Sequence, residues 1–499
     1  MNKKVAVGVA GGVVVVAAVL AALGFQGRAL VVGMDLGTTY STAAYRRGHE
    51  GVRVVVNGGV DGRATASVIA LAPATGEFVV GRAAAAVAAR HPWAAVFDAK
   101  RVLGRRSDEA VLEAAAALHG GRLVRHRVGM RNAFGKVVSG AAALARCHAC
   151  EPEVAFLVAA PAGGARGRLA SRCLDAGSLV PAAELGAVSP AAAAAVAAGG
   201  AAAVAPAYLF VTPTAAAGVA VAALVAALAA EVGHRQFSSA VVTIPADFSA
   251  ASRQCTVDAY ARAGITARRV LHEPAAAAMA YGLHVRPAVK HVLVFDMGGG
   301  TLDVSVLFMQ PAAITVIGAA GDGHLGGQDV DDCLADVLAG QAAAAGVAPA
   351  ACGDPDADAD ATGSAPPAGG AAQNAGAASA GGGLRGVAER VKIAFGNASV
   401  SEVTWHCNTD SGTTFSSVVT RQQFYAGCDA LFTRVMAPVT EALDAANVAA
   451  SEVDEIVLIG GSSRLTRVQE LLAAHFARRL HWTIDPDLAV AYGAASVID

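Results

Sequence analysis

The sequence predicts an α/β fold of two related lobes around one ligand cleft. Three observations carry this: β-branched runs alternate with helical stretches, one strand-and-glycine-turn motif occurs twice, and 499 residues are too many for a single core. The runs Val31–Asp35, Ala240–Pro245, His291–Asp296 and Ile456–Gly461 are continuously apolar and stop at Asp, Gly or Pro, as buried strands do. Between and after them, helices are expected over Ala215–Val232, Ala250–Ala263, Pro274–Leu283, Arg467–Phe476 and Leu488–Val497. The duplicated motif is Met34-Asp35-Leu36-Gly37-Thr38-Thr39-Tyr40-Ser41 against Phe295-Asp296-Met297-Gly298-Gly299-Gly300-Thr301-Leu302-Asp303-Val304-Ser305. Each is a strand, an Asp, a glycine-rich reversal with hydroxyls and a second strand.

Such turns suit phosphate. Glycine lets successive backbone N–H groups approach an anion closely, and Thr38, Thr39 and Thr301 add hydroxyl donors. Asp35 and Asp296, one at each strand tip, offer hard oxygen to Mg2+, an ion that keeps several waters. A P-loop is excluded, because Gly129–Lys136 misses the spacing and is followed by Val137 where Ser or Thr is required.

Charge excludes other ligand classes. With 38 basic and 40 acidic residues the formal net charge is −2, so no field draws in nucleic acid or anionic lipid. Hydrophobic residues make up 55% of the chain, but alanine tracts supply much of that figure and do not describe a bundle of membrane helices. Lys3 and Lys4 precede an uncharged run from Val5 to Phe25, which reads as a signal peptide or membrane anchor within residues 1–27. That charge placement sends the remainder across the membrane and confines membrane association to residues 5–25. The tracts at about 142–206 and 341–383, with a weaker alanine-rich stretch at 110–118, read as insertions or surface loops. Eight cysteines are scattered, Cys147-His148-Ala149-Cys150 reads as a chance pair, and Asn397-Ala398-Ser399 is the one N-glycosylation sequon.

The motifs together resemble the seventy-kilodalton heat-shock family, an actin-like ATPase fold made of duplicated ribonuclease-H-like lobes. Val32–Ser41 is similar to the family's first phosphate loop, and Phe97–Gly104 to the segment with its catalytic lysine. Val242–Arg253 and His272–Leu283 resemble its connecting region, and Phe295–Val306 its second phosphate loop. Gly321–Asp329, Glu389–Lys392, Ile459–Leu465 and Asp485–Ala494 follow in the family's order. The segments AMAYGLH, GGGTLDVS, LGGQD and DPDLAV resemble the microsomal stress-seventy ATPase-core branch. The resemblance divides the chain into lobe I (28–286), lobe II (287–481) and a closing helix of lobe I (482–499).

The resemblance implies a slow ATPase that takes ATP or ADP with Mg2+ and admits K+. It gives Lys100, Glu273, Asp303 and Thr301 the catalytic roles. Lys100 places the attacking water and stabilises the γ-phosphate, Glu273 bonds the metal's hydration shell, and Asp303 orients the water. Asp35 and Asp296 hold the hydrated metal, while Gly37, Thr38, Thr39, Tyr40, Gly298, Gly299, Gly300 and Thr301 cradle phosphates. Gly460, Gly461, Ser462, Arg464 and Asp487 line the nucleoside pocket, faced by Glu389 and Lys392. Pro245 and Arg253 match the hinge proline and relay arginine.

Some positions depart from the family. His272, Ala275 and Gln328 replace its Asn, Thr and Glu. Ile393 and Gly396 stand where an adenine-stacking Arg and a ribose-contacting Ser are usual, so weak nucleotide retention is expected. No linker or peptide-binding domain is read before Asp499, so no peptide grip and no stimulation by unfolded peptide are expected. A nucleotide-exchange factor or J-domain protein is the partner implied, and the endoplasmic reticulum lumen or lumenal face of the microsomal membrane the location.

Overall fold

Each lobe grows from an apolar strand whose penultimate residue is an aspartate. In the first, β1 (Leu30–Leu36) pairs antiparallel with β2 (Tyr40–Arg47), and β2 with β3 (Arg53–Val54). On its other side β1 pairs parallel with β4 (Ser239–Ile244), and β4 with β5 (Thr266–His272). The second lobe repeats this with β6 (His291–Met297), β7 (Leu302–Gln310) and β8 (Ala313–Asp322) as the antiparallel part. The parallel part is β9 (Glu455–Ile459) and β10 (Leu480–His481). The orders β5-β4-β1-β2-β3 and β8-β7-β6-β9-β10 are the same path walked twice. The duplicated motif therefore reflects a duplicated sheet. These features belong to a computed structural model that describes residues 30–47, 50–56, 62–73, 77–91, 94–105, 123–125, 154–160, 179–181, 207–232, 237–311, 313–349, 352, 383–408 and 414–497.

Helices α1 (Pro213–Val232), α2 (Ala250–Arg262) and α3 (Glu273–Ala280) follow in the first lobe. α4 (Gly327–Ala344), α5 (Leu384–Phe395) and α6 (Thr466–Phe476) belong to the second, and α7 (Ala489–Ser496) comes last. The α1 helix is 20 residues long with a mean hydropathy of 2.1, enough by length and composition to cross a bilayer. It is instead a core helix: Val221, Leu224 and Leu228 are fully buried among the first-lobe strands. A helix apolar on all sides is what such a position requires.

α7 returns to the first lobe. A Cβ on Gly493 would lie 1.8 Å from the carbonyl oxygen of Ala276 in α3, so only glycine permits this backbone contact. The small residues of α3 and α7 thus set the spacing of Glu273, at the start of α3, from the β1 tip.

One expectation, the surface-loop reading of the first tract, needs correction. The tract at about 142–206 contains strands Val154–Ala160 and Leu179–Pro181, which join Leu123–Arg125 and Ala207–Val211 in a four-stranded sheet. Its alanine count hid the apolar run Val154-Ala155-Phe156-Leu157-Val158, which suits a pleated surface. The second tract, expected at about 341–383, follows the end of α4, which continues to Ala344 through residues of high helix propensity. Residues 1–29, the 110–118 stretch, Gly129–Lys136, the Cys147–Cys150 pair and residues 353–382 lie outside the described residues. The cysteines among the described residues are not merely scattered. Cys333 is bonded to Cys428, with Cα atoms 6.0 Å apart, and Cys352 to Cys407, with Cα atoms 5.1 Å apart; Cys255 is disulfide-bonded as well.

Candidate nucleotide site

The two acid tips occupy the same station. Asp35 stands opposite Thr42 across the β1–β2 ladder, and Asp296 opposite Asp303 across β6–β7. Both face one cavity of about 1710 Å3 at the carboxyl ends of the parallel strands, where open α/β sheets bind ligands. The hairpins meet there, since a Cβ on Gly299 would fall 2.4 Å from Thr39 Oγ1. Thr243 Oγ1 donates to Asp35 Oδ1 at 2.6 Å, fixing that carboxylate from the neighbouring strand β4. Ser67 Oγ donates to the Gly37 carbonyl at 2.7 Å and props the first turn.

Lys100 lies on a short 3-10 turn, Ala99–Val102, which follows Asp98 in the left-handed backbone region. Its Nζ donates to Glu273 Oε1 at 2.6 Å, and both side chains are nearly buried. Burial would depress the Lys100 ammonium, but Glu273, Asp35 and Asp296 outweigh it and hold the group above the ordinary lysine range. Burial pushes Glu273 up to about 7 despite Lys100. Asp296 is driven well above the carboxylate range by burial and by Glu273 and Asp303, and Asp303 to about 6 by burial and Asp247. Four carboxyl groups thus crowd one ammonium.

Such crowding fits a divalent cation carrying phosphate, which would relieve the repulsion. Among the described residues no three His, Cys, Asp or Glu side chains gather tightly enough to hold a metal ion.

On the opposite wall, Gly460 ends β9 with φ of 76°, and a Cβ there would strike the Met297 carbonyl oxygen at 2.4 Å. Only glycine lets this strand end pass so near Asp296. Ser462 Oγ donates to the Gly298 carbonyl at 2.8 Å, tying the second turn to the nucleoside side. Arg464 pairs with Asp485 and, at 3.1 Å, with Asp487. Lys392 on α5 donates to Asp331 at 2.8 Å and to the Gly327 carbonyl at 3.0 Å. Burial raises Glu389 beside it to about 7, against the pull of Lys392.

Every residue assigned above to catalysis, metal or nucleotide lines this one cavity, from Asp35, Gly37 and Lys100 to Arg464 and Asp487. Pro245, Gln328, Ile393 and Gly396 line it also, whereas Arg253 and His272 do not. His272 instead brings its Nδ1 within 3.3 Å of the Pro245 carbonyl oxygen. One residue was missed. Arg101 donates through Nη1 to the Gly323 carbonyl at 2.7 Å, linking the 3-10 turn to the second lobe, and Nη2 lies 1.7 Å from where a Gly300 Cβ would be. No local signal in the sequence marks it as a bridge between the lobes.

The Hsp70 protein family matches residues 31–132, 203–347 and 376–498, about three quarters of the chain. The chain belongs to the Hsp70 family. Members of that family are ATPases that use ATP or ADP with Mg2+ and work with J-domain and nucleotide-exchange partners. The chain is 31% identical over 475 residues to the "Ribosome-associated molecular chaperone SSB" of Candida glabrata, covering 94% of this chain and 61% of the relative. It is also 31% identical over 480 residues to the "Heat shock 70 kDa protein BIP3" of Oryza sativa, covering 93% of this chain and 56% of the relative. This Hsp70 chain therefore spans about 60% of the length of the curated relatives it matches. The family match omits residues 133–202 and 348–375.

Proposed function

We propose that this chain binds and slowly hydrolyses ATP as the nucleotide-binding part of an Hsp70-type chaperone system. The observation that carries the reading is the buried Lys100–Glu273 pair, 2.6 Å long, set between Asp35 and Asp296 and flanked by a glycine hairpin from each lobe. Lys100 presents fixed positive charge in a site that does not reorganise, the arrangement that favours charge building on a transferring phosphoryl group. Glu273 keeps that ammonium oriented, and Asp303 is placed to orient a water. The hairpin hydroxyls and amides bind phosphate, and Asp35 and Asp296 hold hydrated Mg2+. Bound Mg2+ supplies charge neutralisation at the phosphate oxygens.

Lys100→Ala should lower single-turnover phosphate release by about 10²-fold or more while leaving ATP binding measurable by calorimetry. An unchanged rate would remove Lys100 from the chemistry. Ile393 and Gly396 favour a second reading, a nucleotide-gated scaffold with incidental turnover. Under it, the same variant would lose hydrolysis and keep its biological role.

The compartment proposed is the lumen of the endoplasmic reticulum or the lumenal face of the microsomal membrane, as in the microsomal branch of the family. Supporting it are the basic-flanked apolar run within residues 1–27 and the disulfides Cys333–Cys428 and Cys352–Cys407, since such bonds persist in oxidising compartments. Partners proposed are a J-domain protein and a nucleotide-exchange factor.

A further inference from the structure

The α5 helix, which carries Glu389, Lys392 and Ile393 into the cavity, stops at Phe395. The next turn holds Asn397-Ala398-Ser399, an acceptor sequence for N-linked glycan, with all three residues exposed. Asn397 Oδ1 accepts from the Ser399 backbone N–H at 3.0 Å and from Ser399 Oγ at 2.8 Å. The main chain is anchored by Arg421 Nη2, which donates to the Asn397 carbonyl at 2.6 Å, and by the Val400 N–H at 3.0 Å. Among the described residues Nδ2 of Asn397 makes no hydrogen bond, and the residue is exposed. Asn397 also lines the nucleotide cavity beside Gly396.

We propose that Asn397 is an N-glycosylation site on the rim of the nucleotide cavity and that its glycan slows nucleotide passage there. The proposal rests on the lumenal reading above. In the modification, Asn397 Nδ2 bonds to the anomeric carbon of the first sugar of a lipid-diphosphate-linked oligosaccharide. The bond from that carbon to the diphosphate oxygen breaks, the lipid diphosphate leaves with the electron pair, and one Nδ2 proton passes to the transferase. A bulky hydrated glycan at this position partly replaces the missing base clamp: it adds no contact to the base but hinders escape.

The test is translation of the full chain into microsomes followed by endoglycosidase. The wild-type chain should show a mobility shift, and Ser399→Ala should abolish it. A control combines Ser399→Ala with Ala449→Thr, which makes an acceptor of Asn447 on the same lobe, where Asn447 and Ala449 are exposed. If the control shifts and the wild type does not, the location stands and the Asn397 proposal is overturned. If neither shifts, the lumenal reading fails and takes the proposal with it. For the gating effect, a fluorescent ADP analogue should leave the glycosylated chain about threefold or more slowly than the same chain trimmed to one sugar. Endoglycosidase is chosen because it leaves the Asn397 side chain uncharged. Equal release rates would overturn the gating role.

Discussion

Ile393 offers a residue-scale test of the proposed site, because it stands where the resemblance places an adenine-stacking arginine. It lines the cavity on α5, and Arg464 lines the same cavity. Ile393→Arg should strengthen ATP binding by about 1 kcal/mol, roughly fivefold, through cation–π stacking on the base. Calorimetry checks it, and unchanged affinity would mean the base lies elsewhere. Glu389, one turn earlier, gives a pH test. Burial raises its folded-state value from 4.5 to about 7, so the stability it contributes is fully present below 4.5 and is lost as pH rises through 7. Glu389→Gln stays neutral and avoids that loss. The nucleotide-free variant should match wild type near pH 4.5 and exceed it by on the order of 1–3 kcal/mol above pH 7. A pH-independent difference in chemical denaturation would contradict the buried setting of Glu389.

At the scale of elements, the strands and the hairpin motif were legible because a buried strand must be apolar and a phosphate turn needs glycine. β1, β4, β6 and β9 were read within a few residues, and the α1, α2, α6 and α7 helices within two at either end. What escaped was long-range. Nothing local marks Arg101 as a bridge to Gly323, and the spacing of Cys333, Cys352, Cys407 and Cys428 leaves their pairing open. The strand Val154–Ala160 was obscured because the surrounding alanine suits either a helix or a loop. The contact between α3 and α7 lies between these extremes: their small residues are visible in the sequence, their meeting is not. Gly493→Ala would place a Cβ 1.8 Å from the Ala276 carbonyl oxygen, where neither backbone can yield cheaply. The gain in helix propensity is below about 1 kcal/mol, so a net loss of about 1–3 kcal/mol is expected in urea unfolding. ATP turnover should fall with it, because α3 carries Glu273. A stable, fully active variant would show that the two helices move apart freely.

For the molecule as a whole, the same sheet path occurs twice and the reacting groups come from both copies, so function depends on each lobe holding its shape independently. The second lobe is held by disulfides and the arrangement is nested: Cys352–Cys407, 55 residues apart, lies inside Cys333–Cys428, 95 residues apart. Nesting has a thermodynamic consequence. Once the inner bond has formed, the outer one closes an effective loop of only roughly 40 residues, so it constrains the unfolded chain less than it would alone. Each bond is therefore partly redundant while the other is intact. Replacing either pair by serine should cost about 3–4 kcal/mol, and replacing both about 8 kcal/mol, more than the two single effects added. Trp405, buried in the second lobe, reports that lobe's unfolding by fluorescence. Strict additivity in this double cycle would mean that native strain or solvation, rather than chain entropy, sets the contribution of the cross-links. Because the pairs flank α5, the doubly substituted chain should also bind ATP more weakly, while its first lobe melts unchanged.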